Sequence, residues 1–210
     1  MVAVFLARLA PSAAAKVIRP AVDLLAGIPS VIYGAMGAIV LVPFVQKLFG
    51  LPTGATLFSA IIVLSVMVLP TIISVAETSL RAVPETYMEA SLALGVSKEA
   101  TVFGVLVPAA RSGILAGVLL GLGRAIGEAM AIILVAGNVP QAPNLLKPVR
   151  FLTTGIVAEM GYATGLHRQV LFAIGLVLFV FILIINALFH VVARKSGKKQ
   201  AGGSTRPAGR

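Results

Sequence analysis

The chain contains no cysteine and no tryptophan, and charged residues make up only 11% of it. Without cysteine, neither a disulfide framework nor a thiolate metal site is possible. Without tryptophan, any aromatic belt at a membrane surface has to come from tyrosine and phenylalanine. So low a charged fraction excludes an ordinary soluble domain, in which about a quarter of the residues are charged.

What remains is strongly apolar, with 59% hydrophobic residues and a mean hydropathy of +1.04. These values are typical of an integral membrane protein. Apolar stretches that can cross roughly 30 Å of hydrocarbon, and that lack the alternation of barrel strands, predict membrane-spanning helices. We therefore predict an all-α polytopic bundle with one membrane domain, residues 1–195, and spans near residues 24–46, 55–76, 112–137 and 170–193.

Basic residues outnumber acidic ones by 17 to 7 and cluster beside the apolar stretches. They precede the first predicted span, occur in the loop at 81–111 and follow the fourth span. By the positive-inside rule these regions, and hence the C-terminus, are cytoplasmic. The loop at 138–169 also carries basic residues, which weakens this orientation without reversing it. We interpret the basic residues as topology determinants and lipid contacts rather than a nucleic-acid site, and we predict a disordered basic tail at 196–210.

The loop at 81–111 has the residues of two short helices joined by a sharp turn. Pro84 fits a helix start, and Gly95 tolerates the left-handed conformation that ends a helix. Ser97 can cap a second helix, and Pro108 marks the entry to the next span. A hairpin of this kind can insert into a groove of a partner. The spacing alone fits equally well an ordinary loop that covers helix ends.

Two opposite charges, Arg124 and Glu128, lie near the middle of the third predicted span. A charge at that depth costs from about 2.5 kcal/mol upwards, so both groups should face protein or water. Four residues apart on a helix, they share one face and can pair. The pair is then either a structural ion pair or part of an oxyanion path. In such a path the planar guanidinium binds oxygens and the carboxylate keeps the empty pathway near neutral.

Glycines recur at every fourth residue on the same span, at Gly113, Gly117 and Gly121. This spacing makes one helix face smooth enough for close packing against another helix. It predicts a packing surface and says nothing about a substrate.

The sequence predicts no catalytic residues. It has no P-loop pattern and no set of nucleophile, base and orienting residue, so we expect neither enzyme activity nor ATP hydrolysis by this chain. Only two histidines are present, His167 and His190, and they are far apart in the sequence. We therefore expect no metal site.

The stretch ETYMEASLALGVSKEATVFGVLVP at 85–108 resembles the EAA loop of ABC-importer permeases, on which that family's membrane subunit docks its ATPase. Three further stretches strengthen the likeness: LLAGIPSVIYG at 24–34, GLGRAIGEAMAIILVAGN at 121–138 and GLHRQVLFAIGLVLFV at 165–180. With them, the chain is similar to the permeases of phosphate ABC importers, of the PstC type, as far as about Ala193. The resemblance implies the MetI-like fold of type I ABC-importer permeases.

The resemblance also implies a multi-pass subunit of the cell inner membrane that takes part in importing inorganic phosphate. Its partners would be a PstA-like second permease, a cytoplasmic PstB-like ATPase dimer and an extracytoplasmic phosphate-binding protein, besides membrane lipid. The chain itself would bind no cofactor, since ATP and Mg belong to the ATPase. Arg124 and Glu128 fall on the charged pair of the translocation path. The ATPase-docking loop would include Glu85, Glu89, Ala90, Ser91, Gly95 and Pro108.

Two alternatives stay open: a permease for another oxyanion, such as sulfate or molybdate, and a non-transporting membrane scaffold in phosphate signalling. Ser91 stands where the motif usually has a third small alanine, a mild departure that leaves the docking function in place. Permeases of this type carry further spans before the first span seen here, so two N-terminal transmembrane segments are expected to be missing. We expect a start assigned too late or a fragment, with a functional short form as the third alternative.

Overall fold

The computed structural model describes the backbone of residues 1–201 and the side chains of residues 1–188. Within this range the chain is helical and has no strand, which confirms the all-α prediction; the one isolated bridge joins Gly137 and Val149. After a short N-terminal helical turn the helices are α1 (Ser12–Gly27), α2 (Ser30–Phe49), α3 (Leu57–Arg81), α4 (Glu85–Ala93), α5 (Lys98–Ala109), α6 (Arg111–Gly127), α7 (Met130–Val135), α8 (Leu152–Glu159) and α9 (Gly165–Ala201).

Three helical stretches in the described residues are long and apolar enough to cross a membrane: α2, α3 and the Gly165–Leu188 part of α9. Helices α5 and α6 are bent by 69° relative to each other. If this bent pair counts as one span, the described residues contain four candidate membrane spans. The predicted stretches at 24–46, 55–76 and 170–193 overlap the first three.

Two regions differ from the sequence prediction. The third predicted span, 112–137, is not one helix, because α6 ends at Gly127 and α7 starts at Met130. Near the C-terminus, α9 stays helical to Ala201, which lies inside the predicted tail at 196–210. The remainder of that tail lies outside the described residues.

Three π-helical turns occur in the described helices, at Phe5–Leu9, Gly37–Leu41 and Val102–Leu106. Each ends two residues before a proline. Proline has no N–H, and its ring clashes with the carbonyl four residues earlier, so the ordinary helical pattern fails there. In each turn the residue just before the proline donates to the carbonyl five residues back, as Val42 does to Gly37. At Pro43 and Pro108 the widened turn accommodates the proline and the helix continues, whereas before Pro11 the helix ends at Ala10, which is extended.

The chain forms two compact units. The first comprises Met1–Asp23, Thr71–Gly121 and the described part of α9 from Ile184, and the second comprises Leu24–Pro70 and Leu122–Leu183. In the first unit, an apolar cluster joins the N-terminal turn, the end of α3 and α5. Its members include Ala3, Val4, Leu80, Val102 and Leu106, all of them buried. This cluster supports the segment between α3 and α6.

In the second unit, two glycines of α2 allow α7 to approach closely. A Cβ atom at Gly34 would lie 2.7 Å from the Cα of Ala131, and one at Gly37 would lie 2.9 Å from the side chain of Val135. Both distances are below van der Waals contact, so only glycine fits at either position. Ala131 and Val135 are fully buried as a result.

Candidate functional site

The loop at 81–111 folds into a helical hairpin. Helix α4 starts directly after Pro84, and Gly95 beyond its end has a φ of +80°, the left-handed conformation that stops a helix. Ser97 Oγ accepts a hydrogen bond of 3.3 Å from the N–H of Ala100 and so caps α5. These local predictions from the sequence are confirmed.

A buried hydrogen bond joins the two helices of the hairpin. Ser91 Oγ and Thr101 Oγ1 are 2.9 Å apart, and both residues are buried. An alanine at position 91, as in the usual motif, could not form this bond. The departure from the motif therefore has a structural use here. Sequence reasoning missed Thr101, because its meeting with Ser91 depends on how the two helices fold back on each other.

The outer face of the hairpin is exposed. The carboxylates Glu85 and Glu89 are exposed together with Ala90, and among the apolar side chains Leu94 is 84% exposed. A groove of about 600 Å³ adjoins α4 and is lined by Ser79, Val83, Pro84, Tyr87, Ala110 and Gly113. This face therefore presents carboxylates together with uncovered apolar side chains.

Arg8, in the N-terminal turn, fixes the base of the hairpin. Its guanidinium donates to Leu80 O at 2.9 Å and to Val83 O at 2.8 Å, and it forms an ion pair with Glu85. Carbonyls at the end of a helix lack partners within the helix, so the bond to Leu80 O satisfies a group of α3. The bond to Val83 O holds the short link between α3 and α4. No sequence pattern signals these contacts, since Arg8 and Glu85 are 77 residues apart.

A second cluster of ion pairs ties α1 and the N-terminal turn to the end of α3. Glu77 Oε1 accepts hydrogen bonds from Arg19 and, at 3.0 Å, from Arg81. Arg81 also donates to the carbonyl of Leu6 at 3.0 Å. Together with Arg8, these contacts make the N-terminal residues part of the support of the hairpin.

The glycines of α6 face the end of α3. A Cβ atom at Gly113 would lie 2.3 Å from Ser79 Oγ, and one at Gly117 would lie 3.1 Å from Val75 Cβ. Gly121 is buried as well. Helix α6 can therefore lie this close to α3 only because it presents hydrogen atoms instead of side chains at Gly113 and Gly117.

Arg124 and Glu128 lie at the break between α6 and α7, and of the two alternatives that the sequence left open the structural ion pair is not formed. Helix α6 ends at Gly127, one residue before Glu128. Glu128 Oε1 instead accepts a hydrogen bond of 2.9 Å from the N–H of Ala131, a contact that caps the start of α7. Arg124 is exposed, and among residues 1–188 no acidic side chain pairs with it. The guanidinium is therefore open to an external ligand.

Glu128 also borders a cavity of about 330 Å³ in the second unit. Thr153, another lining residue, donates from its hydroxyl to the carbonyl oxygen of Glu128 at 2.9 Å. Backbone groups freed by a helix break need partners when no bulk water is present, and this bond supplies one. The other lining residues are mainly apolar and include Leu64, Ile126, Ile132, Leu152 and Phe181.

Sequence reasoning missed the threonines at the start of α8. The apolar patch at 149–160 is predicted to be too short to span and to lie at the interface or fold back. Its helical part is Leu152–Glu159. The sequence feature that could have revealed them is the pair of adjacent hydroxyl residues, Thr153 and Thr154, in the middle of a mainly apolar patch. Buried hydroxyl groups need hydrogen-bond partners.

Glu159, the last residue of α8, accepts hydrogen bonds from two basic side chains. Arg150 Nη2 pairs with Oε1, and His167 Nε2 lies 2.7 Å from Oε2. The hydrogen bond with His167, followed by that with Arg150, holds the pKa of the Glu159 carboxyl below its usual value. His167, a lone polar residue by sequence, thus belongs to a three-residue cluster that joins the two ends of the segment from 150 to 167.

We expect acid to weaken this cluster. A carboxyl group whose pKa is lower in the folded state stabilises the fold above its unfolded pKa of about 4.3, and the contribution is lost as pH falls through the folded pKa. Glu159→Gln should therefore lose less thermal stability than the wild type when the pH is lowered past about 4.3. The measurement is the Tm of the purified protein across this range. Glu99→Gln, which removes an exposed carboxylate, is the control, and equal acid sensitivity of wild type and Glu159→Gln would contradict the assignment.

Residues 1–198 match the family described as binding-protein-dependent transport system inner membrane component. The probable ABC transporter permease protein YqgH of Bacillus subtilis is 42% identical, over 89% of this chain and 62% of its own length. The phosphate transport system permease protein PstC of Haemophilus influenzae is 37% identical, over 92% of this chain and 68% of its own. The chain thus spans about two thirds of the length of these curated relatives.

A solved structure of similar fold is an inward-facing conformation of the MetNI methionine ABC transporter. It superposes with a TM-score of 0.73 at 22% identity, covering 93% of this chain and 84% of that one. This similarity confirms the MetI-like fold. The chain belongs to the family of binding-protein-dependent transport system inner membrane components, and within it to the PstC-type permeases.

Proposed function

We propose that the chain is the membrane-spanning permease subunit of an ATP-driven importer of inorganic phosphate. The observation that carries the proposal is the 37% identity, over 92% of the chain, to a permease named for phosphate transport. In this proposal the chain hydrolyses no ATP. A PstB-like ATPase dimer binds ATP and Mg, and an extracytoplasmic binding protein delivers the phosphate.

The hairpin of α4 and α5 is the proposed docking surface for the ATPase. Its exposed carboxylates and the exposed Leu94 support this role. The bond between Ser91 and Thr101 and the ion pair between Arg8 and Glu85 make the hairpin stiff. A stiff hairpin passes the movement of a docked partner to the spans instead of absorbing it in the turn. The hairpin, the N-terminal residues and the C-terminus would then lie on the cytoplasmic side.

Arg124 is the proposed contact for phosphate. A guanidinium offers a planar set of donors that matches the oxygens of an oxyanion. Glu128 is engaged with the N–H of Ala131, so phosphate can bind Arg124 without first breaking an ion pair. Phosphate would pass Arg124 without covalent chemistry. It would do so as this subunit and a PstA-like partner alternate between outward-open and inward-open states.

The test is uptake by the complete complex in proteoliposomes, with its ATPase, second permease and binding protein. We expect ATP-dependent uptake of radioactive phosphate that unlabelled phosphate suppresses and that excess sulfate or molybdate leaves unchanged. The same vesicles without ATP are the control.

A permease for another oxyanion is the second candidate, because the relative with 42% identity is named only as a probable ABC transporter permease. Transport of sulfate or molybdate in preference to phosphate would establish this candidate and overturn the first.

A further inference from the structure

Helix α7 is held at both ends by residues of α8 and of the segment that leads into it. At its start, Thr153 Oγ1 donates to the carbonyl oxygen of Glu128 at 2.9 Å. Beyond its end, Thr154 Oγ1 lies 3.0 Å from Asn138 Oδ1 and 3.1 Å from Phe151 O, two acceptors that share its one hydroxyl proton. Val149 N–H donates to Ala136 O at 2.9 Å. Two adjacent threonines therefore bond to groups that lie beyond the two ends of one short helix.

The two threonine bonds lie at the irregular backbone on either side of α7. The carbonyl of Glu128 lies in the break, and Asn138 has a φ of +53°, in the left-handed region that non-glycine residues rarely adopt. Thr154 is fully buried and also accepts a hydrogen bond of 3.1 Å from the N–H of Phe151. The two hydroxyl groups thus supply hydrogen-bond partners to polar groups of the irregular backbone around α7. Without these bonds the backbone there could adopt other conformations.

Packing adds a second constraint on α7. Its residues Ala131, Ile132 and Val135 are buried against their surroundings, and the close approach at Gly34 leaves no room for α7 to shift toward α2. Movement of α7 therefore requires the threonine bonds to break or α8 to move with it. The break that carries Glu128, four residues after Arg124, is positioned by the same contacts.

We propose that Thr153 and Thr154 are positioning residues for transport, which set the geometry of the break between α6 and α7 and so the placement of Arg124 for phosphate. The part of this proposal that concerns transport rests on the proposed function. The part that concerns the position of α7 does not.

The first measurement is transport per assembled complex. Thr153→Val and Thr154→Val each remove one hydroxyl with little change of shape, and each should lower the maximal rate of phosphate uptake by about tenfold. Thr153→Ser keeps the hydroxyl and should restore the rate. Thr164→Val is the matched control, because Thr164 is exposed and its side chain has no hydrogen bond among the described residues. An unchanged rate in Thr153→Val, or a loss that Thr153→Ser fails to restore, would overturn the proposal.

The second measurement needs no transport. The chain has no cysteine, so a nitroxide on Met130→Cys, 50% exposed in the first turn of α7, reports on this helix alone within the chain. Its spectrum in the assembled complex should show greater mobility with Thr153→Val and no change with Thr164→Val. An unchanged spectrum in Thr153→Val would overturn the positioning role. If the wild-type complex transports no phosphate, the proposed function fails, and the spectrum still decides the role of the threonines.

Discussion

Arg124→Gln is expected to lower phosphate uptake by roughly ten- to hundredfold in complexes that assemble normally. A hydrogen bond to a charged group contributes about 1.5–3 kcal/mol, which corresponds to that range. Arg124 has no acidic partner among residues 1–188, so the substitution leaves no buried carboxylate unpaired. The loss should therefore appear in transport and not in the amount of complex. Arg124→Lys keeps the charge but not the planar fork, and an intermediate rate is expected.

The control for this prediction is Arg168→Gln. It removes a guanidinium of the second unit that lies over the ring of Phe172 at 5.9 Å and does not line the cavity beside Glu128. We expect this variant to transport at the wild-type rate. The measurement is ATP-driven uptake in proteoliposomes, divided by the amount of assembled complex. Equal uptake by Arg124→Gln and Arg168→Gln would remove Arg124 from the proposed path.

Gly95→Val is expected to lower the capture of the ATPase by about five- to thirtyfold. Gly95 has a φ of +80°, and a residue with a Cβ costs roughly 1–2 kcal/mol in the left-handed region, which corresponds to this factor. The turn between α4 and α5 should then deform, which moves Leu94 and the carboxylates of α4 out of their arrangement. The measurement is the amount of ATPase that co-purifies with the tagged permease in mild detergent.

Gly161→Val is the matched control for this second prediction, because Gly161 lies outside the hairpin of α4 and α5. At both glycines an added Cβ would meet nothing within 4 Å, and only Gly95 has a positive φ. The two substitutions therefore differ in backbone strain and not in steric contact. Membrane abundance is measured for both, so that loss of folding is separated from loss of docking. If Gly95→Val retains as much ATPase as Gly161→Val, the hairpin is not the docking surface.

The sequence was sufficient to predict the features that depend on a few neighbouring residues. The hairpin turn follows from Gly95 and Ser97, because a left-handed glycine and a capping serine act within one helical turn. The sequence likewise predicts that α3 and the first part of α9 can span a membrane, because each is a long uninterrupted run of apolar residues. Gly113 and Gly117 lie at a close helix contact, although their spacing did not identify α3 as the other helix.

The features that could not be predicted depend on distant residues. The spacing of Arg124 and Glu128 predicts an ion pair only if the helix continues, and whether it continues depends on Thr153 and on the packing of α7. Likewise, the spacing within 81–111 does not reveal that Arg8 bonds to the end of α3. In both cases one side chain had several partners within reach, and tertiary structure selected among them.

The three π-helical turns have a consequence for comparing relatives of this protein. Such a turn holds one residue more than an α-helical turn, so the side chains after it are rotated by about 100° relative to an uninterrupted helix. In α2, the apolar stripe of Ser30–Met36 therefore changes direction at Gly37–Leu41 before it reaches Val42–Phe49. A homologue lacking the following proline can drop one residue there and keep its interior contacts. Single-residue alignment gaps should accordingly gather just upstream of Pro43 and Pro108, where the helix continues after the turn.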